Sequence, residues 1–212
     1  VKYYPLGDDQ YADMLEELKK AKKFIFVEYY IIDQGVMWSS ILEILSQKAA
    51  EGVDVRIIYD DFGCLSNLPN HYNKYLESLG IKCLRFNPLV PLVAVVMNNR
   101  DHRKILVVDG NVGFTGGLNI ADEYINVIKR FGHWKDSGVM LKGDAVWNLT
   151  AMFLDIWYAF RPCKEDVSCF KPTESVSSEG YVQPYYDSPF DYETITVNLY
   201  TDIITRAKDY VY

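Results

Sequence analysis

Residues 98–123 read NNRDHRKILVVDGNVGFTGGLNIADE, a segment in which two short β-branched runs flank a turn sequence. The runs Lys104–Val108 and Val112–Thr115 predict two β-strands. The intervening Asp109-Gly110-Asn111 favours a tight turn, so the two strands should form a hairpin. Such a hairpin brings the residues before its first strand and those after its second strand to the same end.

Those two groups of residues carry the chemistry of the segment. His102, Lys104 and Asp109 have the spacing H-x-K-x4-D, and Gly116-Gly117-x-Asn119 follows. Side chains two positions apart on a strand face the same side, so the imidazole and the ammonium project together. A neutral imidazole beside a fixed cation suits nucleophilic attack on a phosphodiester, because the cation meets the charge on the phosphoryl group.

The glycines and the asparagine predict further donors to a phosphate. Glycine lets the backbone N–H of Gly117 approach an oxyanion closely, and the side-chain amide of Asn119 adds another donor. These donors and Lys104 supply the charge stabilisation, so we expect no metal and no other cofactor. Asp109 completes the catalytic candidates, although its position where the strand ends favours a role in stabilising the turn.

The rest of the chain alternates helix and strand patterns. The predicted strands are residues 24–32, 53–59, 81–86 and 133–141. The predicted helices are one capped by Asp8 or Asp9, one from Ser39 or Ser40 to about Glu51, Tyr72–Leu79, and one from Asp144 to about Phe160. This alternation predicts an α/β layer architecture around a largely parallel or mixed central sheet.

The C-terminal part of the chain has a different amino-acid composition. Residues 161–178 contain two prolines and a cluster of Ser, Thr and Glu, which is typical of a linker. Beyond them a predicted helix, Ile195–Lys208, runs into a strand start at residues 210–212, and this end aligns with residues 21–26 at an offset of 186 residues. Any helix that runs into a strand would give a similar match.

The alignment nevertheless favours a truncated tandem repeat. On this interpretation residues 1–160 are a first half-domain with one H-x-K-x4-D motif, 161–178 are the linker, and 179–212 are the start of a second half-domain. The same offset would place a second histidine at about residue 288, beyond Tyr212. We therefore expect little or no activity from this chain alone, unless two copies pair their half-sites.

Composition narrows the classes of function. The net charge of −7 argues against a generic nucleic-acid binder, which carries a basic face, although a few local cations can still dominate a phosphate site. The four cysteines show no C-x-x-C spacing, and reduced thiols are favoured over a Cys163–Cys169 disulfide. A zinc site is not expected, because no histidine lies two to four residues from a cysteine.

The longest apolar run, Leu89–Met97, leads directly into the motif. It is interrupted by Pro91 and is far shorter than the roughly 20 residues that span a bilayer. One interpretation is a membrane-docking or lipid-entry element beside the site. The other, weighted slightly higher, is a buried crossover segment.

The motif with its paired glycines and asparagine resembles the signature of the phospholipase D superfamily. Within it, NNRDHRKILVVDG, GFTGGLNIADEY and HWKDSGVMLKGDAV are similar to the bacterial cardiolipin synthases, as are FIFVEYYII and GVDVRIIYDD. The resemblance covers essentially the whole chain. It implies phospholipase D-type α-β-α layers around a mixed central sheet, present here as one half-domain plus the start of a second repeat.

The resemblance also implies an activity. A phosphatidyl group would pass between two phosphatidylglycerol molecules through a phosphohistidine intermediate, with glycerol released. His102 would be the nucleophile, Lys104, Gly117 and Asn119 would bind phosphate oxygens, and Asp136 would hold the histidine ring through its other nitrogen.

The implied partners are phosphatidylglycerol, the bacterial membrane surface, and either the second half of the polypeptide or a homodimer partner, with no nucleic acid. The parent protein is expected at the cytoplasmic face of the cell membrane, attached through other parts of the polypeptide, and this segment by itself is expected to be soluble.

Two alternatives stay open at this point. One is a hydrolytic phospholipase D or another phosphodiesterase, and the other is a catalytically inert, membrane-associated module. Glu28 is also open to two interpretations, because it lies within an apolar strand and either faces the site or is a buried glutamate paired with a local cation.

Overall fold

The computed structural model describes residues 1–88, 99–187 and 193–211. The apolar run Leu89–Met97, predicted as a docking element or a buried crossover, lies outside the described residues. The chain forms two compact units, Val1–Ser178 and Glu179–Tyr212. Within the described ranges, no helix is both long and apolar enough to cross a membrane.

The described residues of the first unit form seven strands, four α-helices and one 3₁₀ helix. The strands are β1 Lys2–Tyr4, β2 Phe24–Tyr29, β3 Asp54–Asp60, β4 Lys82–Phe86, β5 Lys104–Val108, β6 Val112–Gly116 and β7 Gly138–Lys142. The helices are α1 Gly7–Lys20, α2 Val36–Ala50, α3 Tyr72–Ser78, α4 Val146–Phe160 and the 3₁₀ helix Val167–Phe170. The second unit contains α5, Ile195–Arg206.

The strands form one mixed sheet in the order β1-β7-β6-β5-β2-β3-β4. Strands β2, β3 and β4 are parallel, whereas every other neighbouring pair is antiparallel. The predicted hairpin is confirmed, with Leu106 opposite Phe114. In the β2–β5 pair, Tyr29 at the end of β2 lies opposite Lys104 at the start of β5.

Helices cover both faces of this sheet. Strand β2 is buried along its whole length, which explains its continuous apolar sequence. Ile25 and Val27 belong to the core formed with α1 and α2. On the other face, the ring of Phe26 stacks on Phe153 of α4 at a centroid distance of 4.5 Å. The predicted α-β-α layering around a mixed sheet is therefore confirmed.

Two helix starts differ from the sequence prediction. Helix α1 begins at Gly7 rather than after Asp8 or Asp9, and both aspartates lie in its first turn, where a negative charge suits the helix dipole. Helix α2 begins at Val36 rather than at Ser39 or Ser40.

The early start of α2 has a tertiary cause. The carboxylate of Asp122, distant in sequence, accepts the backbone N–H groups of Val36 and Met37 at 2.9 and 2.8 Å. The donors that a local cap would satisfy are thus satisfied from another part of the chain.

Other boundaries also differ. Strand β7 begins at Gly138 instead of His133, and the short edge strand β1 was not predicted. Asp144 precedes α4 without capping it. Helix α5 ends at Arg206, and residues 210 and 211 are not in a strand. All four cysteines, including Cys163 and Cys169, are free thiols.

Asp109 directly follows β5 and has a left-handed conformation with φ of 52°. Its carboxylate accepts the backbone N–H groups of Lys22, Lys23 and Phe24 at 2.8, 2.8 and 2.9 Å. These bonds fasten the hairpin turn to the start of β2. Because Asp109 lies one strand length, roughly 17 Å, from Lys104, the structure does not bring it to the two other residues of the motif.

We expect Asp109→Ala to lower the free energy of unfolding by about 2–3 kcal/mol, because it leaves three backbone donors without their charged acceptor. Denaturant unfolding followed by circular dichroism measures the change. Asp144→Ala is the matched control and should stay within about 0.5 kcal/mol, because Asp144 is exposed and caps nothing. Equal effects of the two substitutions would contradict this role for Asp109.

Candidate active site

His102 and Lys104 lie together at the edge of the sheet where β2 ends and β5 begins. The Nζ of Lys104 donates to the carbonyl oxygen of His102 at 2.6 Å and lies 3.1 Å from Nδ1 of the same residue. Lys104 is only 5% exposed, whereas the His102 side chain faces solvent. The lysine is thus held in place, and the imidazole is accessible.

A tyrosine that sequence reasoning missed completes this cluster. The ring of Tyr30, directly after β2, lies 4.6 Å from the His102 ring, and the Nζ of Lys104 lies 5.5 Å from the Tyr30 ring. The ring therefore supports the imidazole and faces the cation with its π-electrons. Tyr30 is the second tyrosine in FIFVEYYII. Its position directly after an apolar strand is the sequence feature that could have identified it as a site residue.

Asn119 reaches the same edge from the end of β6. Its Oδ1 accepts the backbone N–H of Ile31 at 3.1 Å, and its Nδ2 donates to the hydroxyl of Tyr124 at 2.7 Å. An isolated parallel bridge between Ile32 and Ile120 joins the segments after β2 and β6. The structure thus brings Asn119 to the chain segment that carries Tyr30. One of the two Nδ2 hydrogens is used by Tyr124.

Gly117 and Asp136 lie against each other. A Cβ atom on Gly117 would lie 2.0 Å from Oδ1 of Asp136, so only glycine leaves room for this carboxylate. The N–H of Gly117 donates to the carbonyl of Ser137 at 3.0 Å, so the donor expected to approach an oxyanion is already engaged. The space at Gly117 is filled by a carboxylate.

Asp136 does not make the contact expected of it. Its Oδ1 accepts the N–H of Ser137 at 2.8 Å, and no hydrogen bond joins it to His102 in the described part of the chain. Its negative charge instead acts on Lys104, whose ammonium it helps to keep charged. The neighbour of Nδ1 on the His102 ring is the Nζ of Lys104, at 3.1 Å.

Burial sets the protonation of the pair. It lowers the pKa of Lys104 to about 8, against the opposing influence of the Asp101 and Asp136 carboxylates. Burial and the adjacent Lys104 cation both lower the pKa of His102 below its ordinary value. At neutral pH the imidazole is therefore uncharged beside a charged lysine, which is the state that attack on a phosphodiester requires.

Glu28 lies on the opposite face of the sheet from this pair. It is fully buried, and one carboxylate oxygen lies 2.7 Å from Nε of Arg103. Arg103 also donates to Asp101 at 3.1 Å. Burial and the charge of Asp101 raise the pKa of Glu28 well above its ordinary value. The structure thus supports a buried glutamate paired with a local cation.

A second buried carboxylate orders the segment before β5. Asp60 accepts the backbone N–H of Asp101 at 3.0 Å and the guanidinium of Arg100 at 3.1 Å. It also accepts the N–H groups of Phe62 and Gly63 at 2.9 and 3.0 Å. Asp60 therefore fixes the backbone beside His102. Sequence reasoning missed it, although it ends a buried strand in the run GVDVRIIYDD.

Comparison with known families identifies the family of the chain. Residues 14–146 match the family described as the phospholipase D-like domain of cardiolipin synthase. The chain belongs to this family. The predicted membership, made from the H-x-K-x4-D segment, is confirmed.

Relatives of this phospholipase D-like chain extend beyond it. An uncharacterized protein of Streptococcus mutans serotype c is 49% identical over the whole chain, which covers 46% of that protein. The cardiolipin synthase of Geobacillus thermodenitrificans is 35% identical over 95% of the chain, which covers 41% of the enzyme. The chain thus spans less than half the length of these relatives.

A solved structure shares the fold. Nuc of Salmonella typhimurium, a phospholipase D family member, superposes with a TM-score of 0.53 at 20% identity, and the match covers 73% of this chain and 90% of Nuc. The described residues of the phospholipase D-like chain include no group of three or more His, Cys, Asp or Glu placed to hold a metal ion.

We expect Lys104 to titrate near pH 8, whereas ordinary lysines have a pKa of about 10.4. The measurement is NMR of lysine labelled with ¹³C at Cε, from about pH 6 to about pH 11. Lys104→Arg removes one resonance and so assigns it. If the resonance assigned to Lys104 in this way titrates together with the ordinary lysines, the burial argument is contradicted.

We expect Gly117→Ala to lower the pKa of Lys104 further. The added methyl must displace the Asp136 carboxylate, and its favourable charge then no longer acts on the lysine. The same NMR titration measures the change, and Asp136→Asn should shift the pKa in the same direction. An unchanged pKa in both variants would show that Asp136 does not act on Lys104.

Proposed function

We propose that this chain supplies one half of a phosphatidyltransferase site that makes cardiolipin and glycerol from two phosphatidylglycerol molecules. The observation that carries the proposal is the buried Lys104 ammonium, fixed on the carbonyl oxygen and Nδ1 of an exposed, neutral His102. A fixed cation beside an accessible imidazole is suited to phosphodiester chemistry. Family membership supports the lipid substrate.

In the first step, a ring nitrogen of His102 attacks the phosphorus of one phosphatidylglycerol. A nitrogen–phosphorus bond forms as the bond from phosphorus to the glycerol headgroup oxygen breaks. The glycerol leaves with a proton delivered by a general acid. Lys104 and the free Nδ2 hydrogen of Asn119 bind the non-bridging oxygens, whose negative charge grows in the transition state.

In the second step, a headgroup hydroxyl of another phosphatidylglycerol attacks the phosphohistidine. The new oxygen–phosphorus bond forms, the nitrogen–phosphorus bond breaks, and the hydroxyl proton passes to the group that served as the acid. The products are cardiolipin and the original histidine. No cofactor enters either step.

The tautomer of His102 decides which ring nitrogen can attack. With Lys104 charged, Nδ1 accepts its hydrogen bond and the ring proton lies on Nε2. Attack by Nε2 requires the proton on Nδ1. We propose that the incoming phosphate draws the ammonium away from Nδ1. Solvent then takes the proton from Nε2 and returns one to Nδ1 of this exposed ring, and the Nδ1–H donates a hydrogen bond to Asp136. Asp109 has no direct part in the proposed chemistry.

The remaining partners belong to the same proposal. The general acid would be a second histidine, from the second half of the polypeptide or from another copy of the chain. Substrates would come from the bacterial membrane surface, at its cytoplasmic face, and nucleic acid is no substrate because the chain is acidic. The chain alone, with a single motif, would turn over little lipid.

Hydrolysis is the second candidate, and one observation favours it. The His102 side chain is exposed, so water can reach a phosphohistidine there. If water replaced the second lipid, the product would be phosphatidic acid. The two reactions share the first step and differ only in the acceptor.

The test uses the polypeptide extended through its second half, incubated with phosphatidylglycerol vesicles and followed by lipid chromatography. We expect cardiolipin and glycerol. We also expect His102→Ala to lower the rate by about 10³-fold or more and to abolish the phosphoprotein adduct, with an unchanged circular dichroism spectrum.

His71→Asn is the matched control. His71 is exposed at the start of α3 in a left-handed conformation that asparagine tolerates, so the rate should be unchanged. Phosphatidic acid as the main product would favour hydrolysis. If neither cardiolipin nor phosphatidic acid formed, both lipid reactions would be excluded. An adduct that persists in His102→Ala would move the nucleophile to the second half.

A further inference from the structure

A loop with exposed apolar and basic side chains lies between the site segments that carry Asn119 and Asp136. We define it as the 127–135 loop, with the sequence VIKRFGHWK. Val127, Ile128 and Phe131 are 53%, 53% and 73% exposed. Three large apolar side chains in five residues are more than scattered surface exposure explains, and such clusters mark interaction surfaces.

The base of the loop is fixed. The Asn126 side chain accepts the backbone N–H of Trp134 at 2.7 Å and donates to its carbonyl oxygen at 3.1 Å. The N–H of Val127 donates to the carbonyl of Asp122 at 3.0 Å. These bonds close the loop at its base, so the exposed side chains are held outward by an ordered structure.

A chain of contacts connects the loop with the site. The ring of Phe131 lies 6.0 Å from that of Trp134, which packs on Tyr124 at 4.8 Å. The hydroxyl of Tyr124 accepts the Nδ2 hydrogen of Asn119 at 2.7 Å. On the other side of the loop, Asp136 follows directly and acts on Lys104. A partner surface that binds the loop will therefore lie next to the site.

The charge of the loop indicates the chemistry of its partner. Lys129, Arg130 and Lys135 lie in the loop, although the whole chain carries a net charge of −7. Arg130 has a long contact of 3.5 Å with Glu123 and keeps 61% of its side chain exposed, so this ion pair compensates little of its charge. Cations around an apolar tip fit an anionic surface with an apolar interior.

We propose that the 127–135 loop docks into the surface of an anionic bilayer. Phe131, Ile128 and Val127 enter the boundary between headgroups and acyl chains, and Lys129 and Arg130 bind lipid phosphates. A protein partner would need an interface of roughly 1,000 Å², which one short loop does not provide. The proposal extends the proposed function, since it names the surface through which lipid reaches that site.

The test measures co-sedimentation of the 212-residue chain with phosphatidylglycerol vesicles and with phosphatidylcholine vesicles. It requires no turnover. We expect binding to the anionic vesicles that weakens with salt, and at least about tenfold weaker binding to the zwitterionic ones. Equal binding to both, or no binding to either, would overturn the proposal.

Two variant pairs locate the binding surface. Lys129→Gln/Arg130→Gln should weaken binding about tenfold or more, whereas Lys22→Gln/Lys23→Gln should change it less than about twofold. Both pairs remove two adjacent exposed cations, but Lys22 and Lys23 lie beside Asp109 at the far end of β5.

Phe131→Ser tests the apolar contact in the same way. It should weaken binding about tenfold, whereas Val167→Ser, an exposed apolar residue of the 3₁₀ helix, should have little effect. Thermal unfolding verifies that each variant is folded. Equal losses in the loop and control variants would overturn the proposal. Vesicle binding by this chain, with no lipid product from the polypeptide extended through its second half, would contradict only the proposed function.

Discussion

The antiparallel pairing of β5 with β2 is the constraint on which the rest of the site depends. Its register places Lys104 opposite Tyr29. The lysine is therefore buried at the start of β5. The imidazole two residues earlier projects beyond the end of the strands and lies against Tyr30. The same edge receives Asn119, because the hairpin returns the chain through β6. A one-residue shift of this register would turn Lys104 to the face that holds Glu28.

Carboxylates that accept backbone N–H groups hold this arrangement together. Asp109 fastens the hairpin to the start of β2, Asp122 caps α2, and Asp60 orders the segment that leads to His102. Each carboxylate joins parts of the chain that are distant in sequence. Each also satisfies donors that loops would otherwise leave without partners. These three carboxylates thus have a structural role, since each holds two distant segments of the chain together.

The proposed site and the proposed docking loop share one framework. Tyr124 contacts Asn119 on one side and Trp134 on the other, and Trp134 closes the base of the loop. Because these contacts are between packed rings and hydrogen-bonded amides, the loop and the proposed phosphate-binding residue Asn119 keep a fixed relation. A bilayer that receives Phe131 would then lie at a defined height relative to His102.

Local sequence patterns were enough to predict the α/β class, the hairpin, the family and the candidates His102, Lys104 and Asn119, because strand periodicity and short motifs are local properties. Tertiary contacts alone established that Asp109 lies at the far end of β5, that Asp122 starts α2, that the Gly117 N–H is already engaged, and that the Tyr30 ring lies tilted against the imidazole. Each of these is a contact between segments distant in sequence. Local patterns predict which groups a strand presents, whereas sheet order and register decide which groups meet.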